Sequence, residues 1–258
     1  MKRLSFSGKP VIVTGGSSGI GLEIARELVR LGARVHILAR NPARASLNGS
    51  VQLHAVDVSD PAAVTAVIRA IGDAEGISAL VCNAGIMRVG RFDELSRDDF
   101  DATLRTNYLG ALDPILAAWP YLKAAGESRL GLVSSVAGYT GIYGYTAYAP
   151  TKFAITALAE CLRMEGIAHG IRVTVVFPPD TETPMLEYER MHAPAETRAI
   201  TAGAQKLSAA AVAQAFVRGM VRGNFEVYCN AEGRLLRVFK ALLPSVYYRL
   251  LDRMARPH

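Results

Sequence analysis

An α/β fold is what this sequence predicts: one domain, built on a doubly wound parallel sheet. Three observations carry the prediction. Short apolar runs rich in β-branched residues recur along the chain, amphipathic stretches of helical period fill the intervals, and no structureless linker divides the whole. With 258 residues, half of them hydrophobic, the chain is long enough to close a substantial core as a single unit.

In chain order, the runs occupy positions 11–14, 34–39, 51–56, 79–82, 130–134 and 173–177. Their apolar character is largely continuous rather than alternating, as in strands covered on both faces. Ile20, Ile24, Leu28 and Leu31 repeat on one helical face after the first run, as do Ile155, Leu158 and Leu162 before the last. The interval 40–50 departs from this alternation. It carries Pro42 and Gly49 and is short for a full crossover helix, so a turn or about one to two helical turns is expected there.

Cys82, Cys161 and Cys229 are widely spread and match no ligand spacing, which argues against a disulfide framework and against a metal site. A reducing, cytoplasmic setting is the expectation, since the N-terminal apolar run meets a glycine-rich turn too soon for a secretory signal. The formal charge of +6 would suit nucleic acid, an anionic membrane or an anionic cofactor. Its distribution narrows the choice. Arg234, Arg237, Lys240, Arg249, Arg253 and Arg256 crowd positions 231–258 against only Glu232 and Asp252. No nucleic-acid-binding signature accompanies them, so no nucleic-acid partner is predicted.

Between the first run and the first helix stands Thr14-Gly15-Gly16-Ser17-Ser18-Gly19-Ile20-Gly21. Glycines there let backbone N–H groups approach a pyrophosphate, and the helix N-terminus adds about half a positive charge facing it. A bare glycine turn is the plain alternative; the placement between strand and helix favours a dinucleotide, and with it a Rossmann-type sheet.

The chain resembles the short-chain dehydrogenase/reductase family through this turn and through Asn83-Ala84-Gly85, Asn107, Ser135 and Tyr148-x-x-x-Lys152. The resemblance implies that Asn83, Ala84 and Gly85 support the sheet beside the cofactor's adenosine half and that Asp57, with Val58, meets the adenine. Asn83 as a strand-end cap and Asp57 as a turn acid remain open. Cofactor choice is read at the end of the second strand, where an acid would bind the ribose hydroxyls of NAD. Here Arg40 stands instead, with Arg44 close behind and Ser17 in the glycine turn, a set suited to a 2′-phosphate. NADPH/NADP is therefore the expected cofactor, although surface arginines are common in any basic protein.

Reducing a ketone builds negative charge on its oxygen and calls for a proton donor and a polariser. Lys152 lies four residues after Tyr148, one helical turn along, where an ammonium favours the phenolate of a group whose pKa is ordinarily near 10. The resemblance assigns Tyr148 as acid, Lys152 also as a ribose ligand, Ser135 as the group on the substrate oxygen, and Asn107 as anchor of a proton-relaying water. Asn107 as a helix residue satisfied in place is the competing reading. Pro150 falls inside the Tyr-x-x-x-Lys window, tolerable in a first helical turn.

After the sixth run comes Pro178-Pro179-Asp180-Thr181-Glu182-Thr183-Pro184, where Pro178, Thr181 and Thr183 match the nicotinamide contacts and Pro179 replaces the usual glycine. This run, 194–198 and 223–225 resemble one subgroup in particular, the 3-ketosphinganine reductases, implying a lipid-like ketone substrate. Two features agree. A lid-sized segment, 180–206, mixes Met185, Leu186, Tyr188 and Met191 with Glu182, Glu187 and Glu189; the apolar members suit an acyl chain and one carboxylate an ammonium, while solvated loop acids are the ordinary alternative. The tail 231–258 is basic and amphipathic but broken by Pro244, too short to cross a bilayer; it suits peripheral contact with an anionic membrane, or packing on the body. Rival functions are reduction of another bulky ketone, steroid or 3-oxoacyl, and cofactor binding without turnover. The family resemblance further implies a homo-oligomer through the helices after the fourth and fifth strands.

Overall fold

The computed structural model describes residues 4–45, 47 and 49–255, so Arg256 of the basic tail lies outside the described residues. All six runs are strands, with ends within two residues of those expected: β1 (Pro10–Thr14), β2 (Arg34–Ala39), β3 (Val51–Ala55), β4 (Ala79–Cys82), β5 (Ser128–Val133) and β6 (Ile171–Phe177). Two short pieces, β7 (Thr181–Glu182) and β8 (Leu207–Ser208), pair with each other, and β9 (Glu226–Tyr228) joins the main sheet. That sheet is wholly parallel in the order β3-β2-β1-β4-β5-β6-β9.

Side-chain alternation splits the core into two layers. Val11 and Val13 face α1 (Gly19–Arg30), through Ile24 and Leu28. Ile12, between them, points the other way, toward Val64 and Ile68 of α2 (Pro61–Glu75). Among the described residues no full helix links β2 to β3; a 3-10 turn, Pro42–Arg44, stands there. Further along come α3 (Arg97–Leu104), a π-helical turn (Arg105–Leu109), α4 (Gly110–Ala124) and α5 (Ala149–Gly166). The lid region folds as α6 (Pro184–His192) and α7 (Ala195–Thr201), and α8 (Ala209–Arg222) returns to the α1 face, its Phe216 packing there.

The basic tail forms α9 (Ala231–Leu242) and α10 (Pro244–Met254), with Pro244 opening the second helix. Of the two readings of this tail, packing on the body is realised. Tyr139 donates to the Gly233 carbonyl at 2.8 Å, Lys240 to the Tyr139 carbonyl at 2.7 Å, and Arg237 pairs with Glu226 at 2.8 Å. The outer face of the same helices stays apolar and exposed at Leu235, Val238, Leu242 and Leu243.

The strand order reverses direction between β1 and β4, and their register, Thr14 beside Cys82, sets the turns that follow them side by side. In open parallel sheets the ligand crevice lies at such a switch point, outside the carboxyl ends of the strands.

Candidate active site

A cleft of about 1200 Å³ opens there. Gly15, Ser17, Ser18, Gly19 and Ile20 border it at one end. Gly15 adopts φ +66°, and a Cβ on it would come within 2.7 Å of the Ala84 Cα, so the turn after β4 presses on the turn after β1. Asn83 ties the two together: its Nδ2 donates to the Thr14 and Gly15 carbonyls at 3.2 and 3.1 Å, while the Thr14 hydroxyl accepts from the backbone of Asn83 and Ala84.

Some helix starts in this chain are closed by a side chain, as Asp60 closes α2 by accepting from the N–H groups of Ala62 and Ala63 at 3.0 Å. At α1 the N-cap Ser18 makes no such bond. The first N–H donors of α1 therefore face the cleft without an intrahelical partner. A glycine cradle with no room for side chains, uncapped donors and a positive helix end fit a pyrophosphate.

Arg40, Arg44, Asp57, Val58, Asn83, Ala84 and Gly85 all border the same end, where the sequence placed them. Asp57 is exposed and also serves as a turn acid: its Oδ1 accepts from the Ser59 N–H and hydroxyl at 2.9 and 2.8 Å. Those bonds, chiefly the backbone one, hold its carboxyl below the usual range, with Arg40 adding to the effect. Gly21, grouped with the cofactor contacts in the sequence, does not border the cleft. A Cβ there would lie 2.3 Å from the Asn83 Nδ2 and the Gly15 carbonyl oxygen, so glycine is required by packing beneath the turn.

Ser135, Tyr148 and Lys152 meet mid-cleft. The Ser135 Oγ accepts from the Ala137 N–H at 3.1 Å, leaving its own proton free to donate. Ser134 turns its hydroxyl away, onto the Lys152 carbonyl and Thr156 at 3.0 Å each. Lys152 donates to the Val133 carbonyl at 3.0 Å, and its Nζ stands 5.6 Å from the centre of the Tyr148 ring. Pro150 sits in the first turn of α5, where its missing N–H costs no helical bond.

Both ionisable groups are buried, and burial dominates both. It pushes the Tyr148 phenol well above its ordinary range; the neighbouring Ser135 hydroxyl pulls the other way and the Glu189 charge adds to the rise. It brings the Lys152 ammonium down to about 8. Burial of the shared site works against both charged forms, the phenolate of Tyr148 and the ammonium of Lys152. Tyr148 accordingly holds its proton at neutral pH, the state a donor requires.

Asn107 stands one layer behind the cleft wall, 2 % exposed, in the π-helical turn between α3 and α4. Its side chain bonds both backbone groups of Ile86, at 2.8 and 3.0 Å, and donates to the Thr151 hydroxyl at 3.0 Å. Both amide hydrogens are thus engaged in joining the β4 turn to α5. Pro178, Thr181 and Thr183 border the cleft; Thr181 donates to the Pro179 carbonyl at 2.7 Å, and Thr183 caps α6.

Beyond Tyr148 the cleft becomes apolar. Met185, Leu186 and Tyr188 of the lid line it with Ile142 and Ile200, and Leu236, Phe239, Tyr247 and Leu251 reach it from α9 and α10. Met191 does not; it points to solvent at 73 % exposure. Glu182 and Glu187 are exposed and lie outside this cleft, whereas Glu189 is buried in its wall and accepts a 2.6 Å hydrogen bond from Tyr145. Sequence reasoning passed over Tyr145 and the part played by α9 and α10. A signal existed for Glu189: with Leu186 and Ala193 it lies on the one apolar face of α6, an odd place for a solvated acid.

A dinucleotide cradle at the switch point of a parallel sheet, joined to a Ser-Tyr-Lys cluster, defines an oxidoreductase. A family model described as short chain dehydrogenase matches residues 9–193, and the chain belongs to that family. It is similar to the 3-ketodihydrosphingosine reductase of Mus musculus, 38% identical over 249 residues, spanning 91% of this chain and 75% of that one. It is likewise similar to the 3-dehydrosphinganine reductase of Danio rerio, 37% identical over 249 residues with the same shares, 91% and 75%. Among solved structures, a short chain dehydrogenase from Burkholderia cenocepacia J2315 in complex with NADP shares the fold, with a TM-score of 0.83 at 23% identity over 98% of this chain and 100% of that one.

Proposed function

We propose that this chain reduces 3-ketosphinganine to sphinganine with NADPH. One observation carries the reading: a single cleft runs from the dinucleotide cradle, past Ser135, Tyr148 and Lys152, into an apolar bay closed by the lid and the C-terminal helices. The bay suits a long acyl chain, and the relatives named for this reaction resemble the chain over 91% of its length.

Arg40 and Arg44, with Ser17, hold the 2′-phosphate, while Asp57 and Val58 meet the adenine. The N–H groups of the glycine turn hold the pyrophosphate, and Pro178, Thr181 and Thr183 face the nicotinamide. When bound, NADPH supplies the hydride and leaves a positively charged ring. Ser135 donates a hydrogen bond to the ketone oxygen, and Tyr148 passes its proton to that oxygen as charge develops there. Lys152 lies close enough to offset the phenolate left behind and holds the ribose. Asn107 fixes the β4 turn against α5 behind it, and its place in a π-helical turn accords with a role in proton relay.

The exposed apolar face of α9 and α10, at Leu235, Leu242, Leu243 and Leu250, is interleaved with exposed Arg234, Arg249 and Arg253. This face rests on an anionic membrane surface, and the same helices line the bay, so a lipid passes from leaflet to site without crossing water. No helix among the described residues is long and apolar enough to cross a membrane. Leu116 of α4 and Met164 of α5 leave apolar surface for a homo-oligomer, 63 % and 62 % exposed.

The test is turnover of 3-ketosphinganine with NADPH, run beside a steroid ketone and a 3-oxoacyl thioester. Preference for the sphingoid ketone by kcat/KM is expected; preference for either rival would replace the substrate, and NADPH binding without turnover of any would leave a binding protein.

A further inference from the structure

The apolar bay contains one acidic corner that neither cofactor binding nor proton transfer uses. Glu189 of α6 is 7 % exposed, and Tyr145 donates to its Oε1 at 2.6 Å. Its Oε2 accepts no hydrogen bond from any described residue and is not sealed from the cavity. Asp180, at the root of the lid, borders the same cleft and its charge acts on Glu189, while Glu232 of α9 also borders the cleft and acts on Asp180.

Neither acid has a cation within ion-pair distance among the described residues. Arg190, which biases both acids at longer range, and Lys206, which biases Asp180, are exposed and do not border the cleft. Arg88 does border it but is engaged by Asp99 at 3.2 Å. The cleft wall also carries Lys152, bonded to the Val133 carbonyl, and Arg40, Arg44 and Arg105, none of which pairs with either acid. A buried carboxyl without a counter-charge is costly, and here burial raises both acids above the usual carboxylate range. A ligand that brings its own cation would relieve that cost.

The corner is also close to the reacting atoms. The Tyr145 ring meets the Tyr148 ring edge-on with centres 5.8 Å apart, so the Glu189 carboxyl is one side chain removed from the proton donor. A cation held there sits next to the ketone, not at the far end of the chain. We infer that Glu189, assisted by Asp180, forms an ammonium subsite that selects 2-amino ketones over amine-free ketones of the same length. The inference rests on the functional reading above and adds to it the group that reads the substrate's head. Occupation by an ammonium also cancels a negative charge beside Tyr148, so the aminated ketone gains in proton transfer as well as in binding.

The test is steady-state kinetics of the full chain at saturating NADPH on 3-ketosphinganine and on 1-hydroxyoctadecan-3-one, which lacks the amine. Glu189→Gln keeps the shape and an acceptor for the Tyr145 hydroxyl. It should lower kcat/KM for the aminated ketone by about tenfold or more, as expected for a lost charge-assisted hydrogen bond, and should not lower it for the amine-free ketone, which instead gains from removal of the charge beside Tyr148. Asp180→Asn should act in the same direction and more weakly. An unchanged ratio, or equal losses on both ketones, overturns the subsite while leaving the reductase reading standing. Failure of the wild-type protein to turn over either ketone overturns that reading and the subsite with it. Should Glu189→Gln not fold, inhibition of the wild-type protein decides: octadecylamine should compete with 3-ketosphinganine about tenfold better than octadecanol, and equal inhibition overturns the subsite.

Discussion

The cofactor end of the cleft is lined by the stretches 15–20, 38–44, 56–59 and 83–88, which follow the carboxyl ends of β1, β2, β3 and β4, whereas the substrate end draws on positions from 140 to 254 carried by the lid and two C-terminal helices. At the first end the glycine turn offers backbone N–H groups, and the demand on its sequence is for residues that permit a close approach. At the second they are side chains of roughly interchangeable size, set by long-range packing. Strict local chemistry therefore marks one half of the site and loose apolar chemistry the other.

Tyr148 stands where the halves meet, so its removal should have the largest effect and the most selective one. Tyr148→Phe is expected to cut kcat by about 10³-fold, within the range for loss of a general acid, while NADPH affinity measured by fluorescence titration stays within about twofold. Substantial turnover in this variant would break the comparison at its hinge, since the proton would then come from elsewhere.

Arg40→Asp probes the cofactor end alone. Losing charge-assisted bonds to a 2′-phosphate and adding a repulsive acid should raise KM for NADPH by about 10- to 100-fold. KM for NADH should change far less, and KM for the ketone not at all. Equal weakening of both cofactors would remove the phosphate assignment and leave Arg40 as surface charge.

Lys152 carries a stability cost that the cofactor end does not. Its amine titrates at about 8 in the folded protein against 10.5 when free of the fold. Between those values the unfolded chain binds more protons, so this residue's contribution to stability improves as pH rises from about 8 to 10.5, and below 8 the penalty is present in full. The penalty is about 3 kcal/mol, and the bond to the Val133 carbonyl offsets about 1 kcal/mol of what a substitution recovers. Lys152→Met should therefore be inactive yet more stable than wild type by about 2 kcal/mol in urea at pH 7, with the advantage fading toward pH 10.5. A difference that does not vary with pH would contradict the burial argument.

The same contrast explains what could be read from the chain. Gly15, Gly19 and the Tyr148–Lys152 spacing announce themselves because backbone geometry and one helical turn tolerate few alternatives. The six central strands were legible because burial on both faces leaves long apolar runs. Three-residue β9 and the two-residue pair β7 and β8 were not, since so few residues carry no period and their pairing depends on where β6 and the lid end. At Gly21 the glycine answers a packing demand from Asn83, 62 positions away, that no local motif displays. In the bay, Met185, Leu186 and Tyr188 were legible and Met191 was not, because α6 has two faces and hydrophobicity alone does not say which is covered.

The smallest effect belongs to the outermost part of the substrate end. Leu242 is 73 % exposed on α9, so Leu242→Glu should leave folding, NADPH affinity and turnover of a short, water-soluble ketone unchanged. If the C-terminal helices rest on a leaflet, this side chain is partly buried there, a gain of about 1 kcal/mol that the variant forfeits while adding repulsion from anionic lipid. Co-sedimentation with phosphatidylserine-containing vesicles should then fall by roughly fivefold, and kcat/KM for vesicle-borne 3-ketosphinganine should fall with it. Unchanged binding would confine the substrate end to the interior of the cleft, with the exposed leucines serving a contact between copies of the chain.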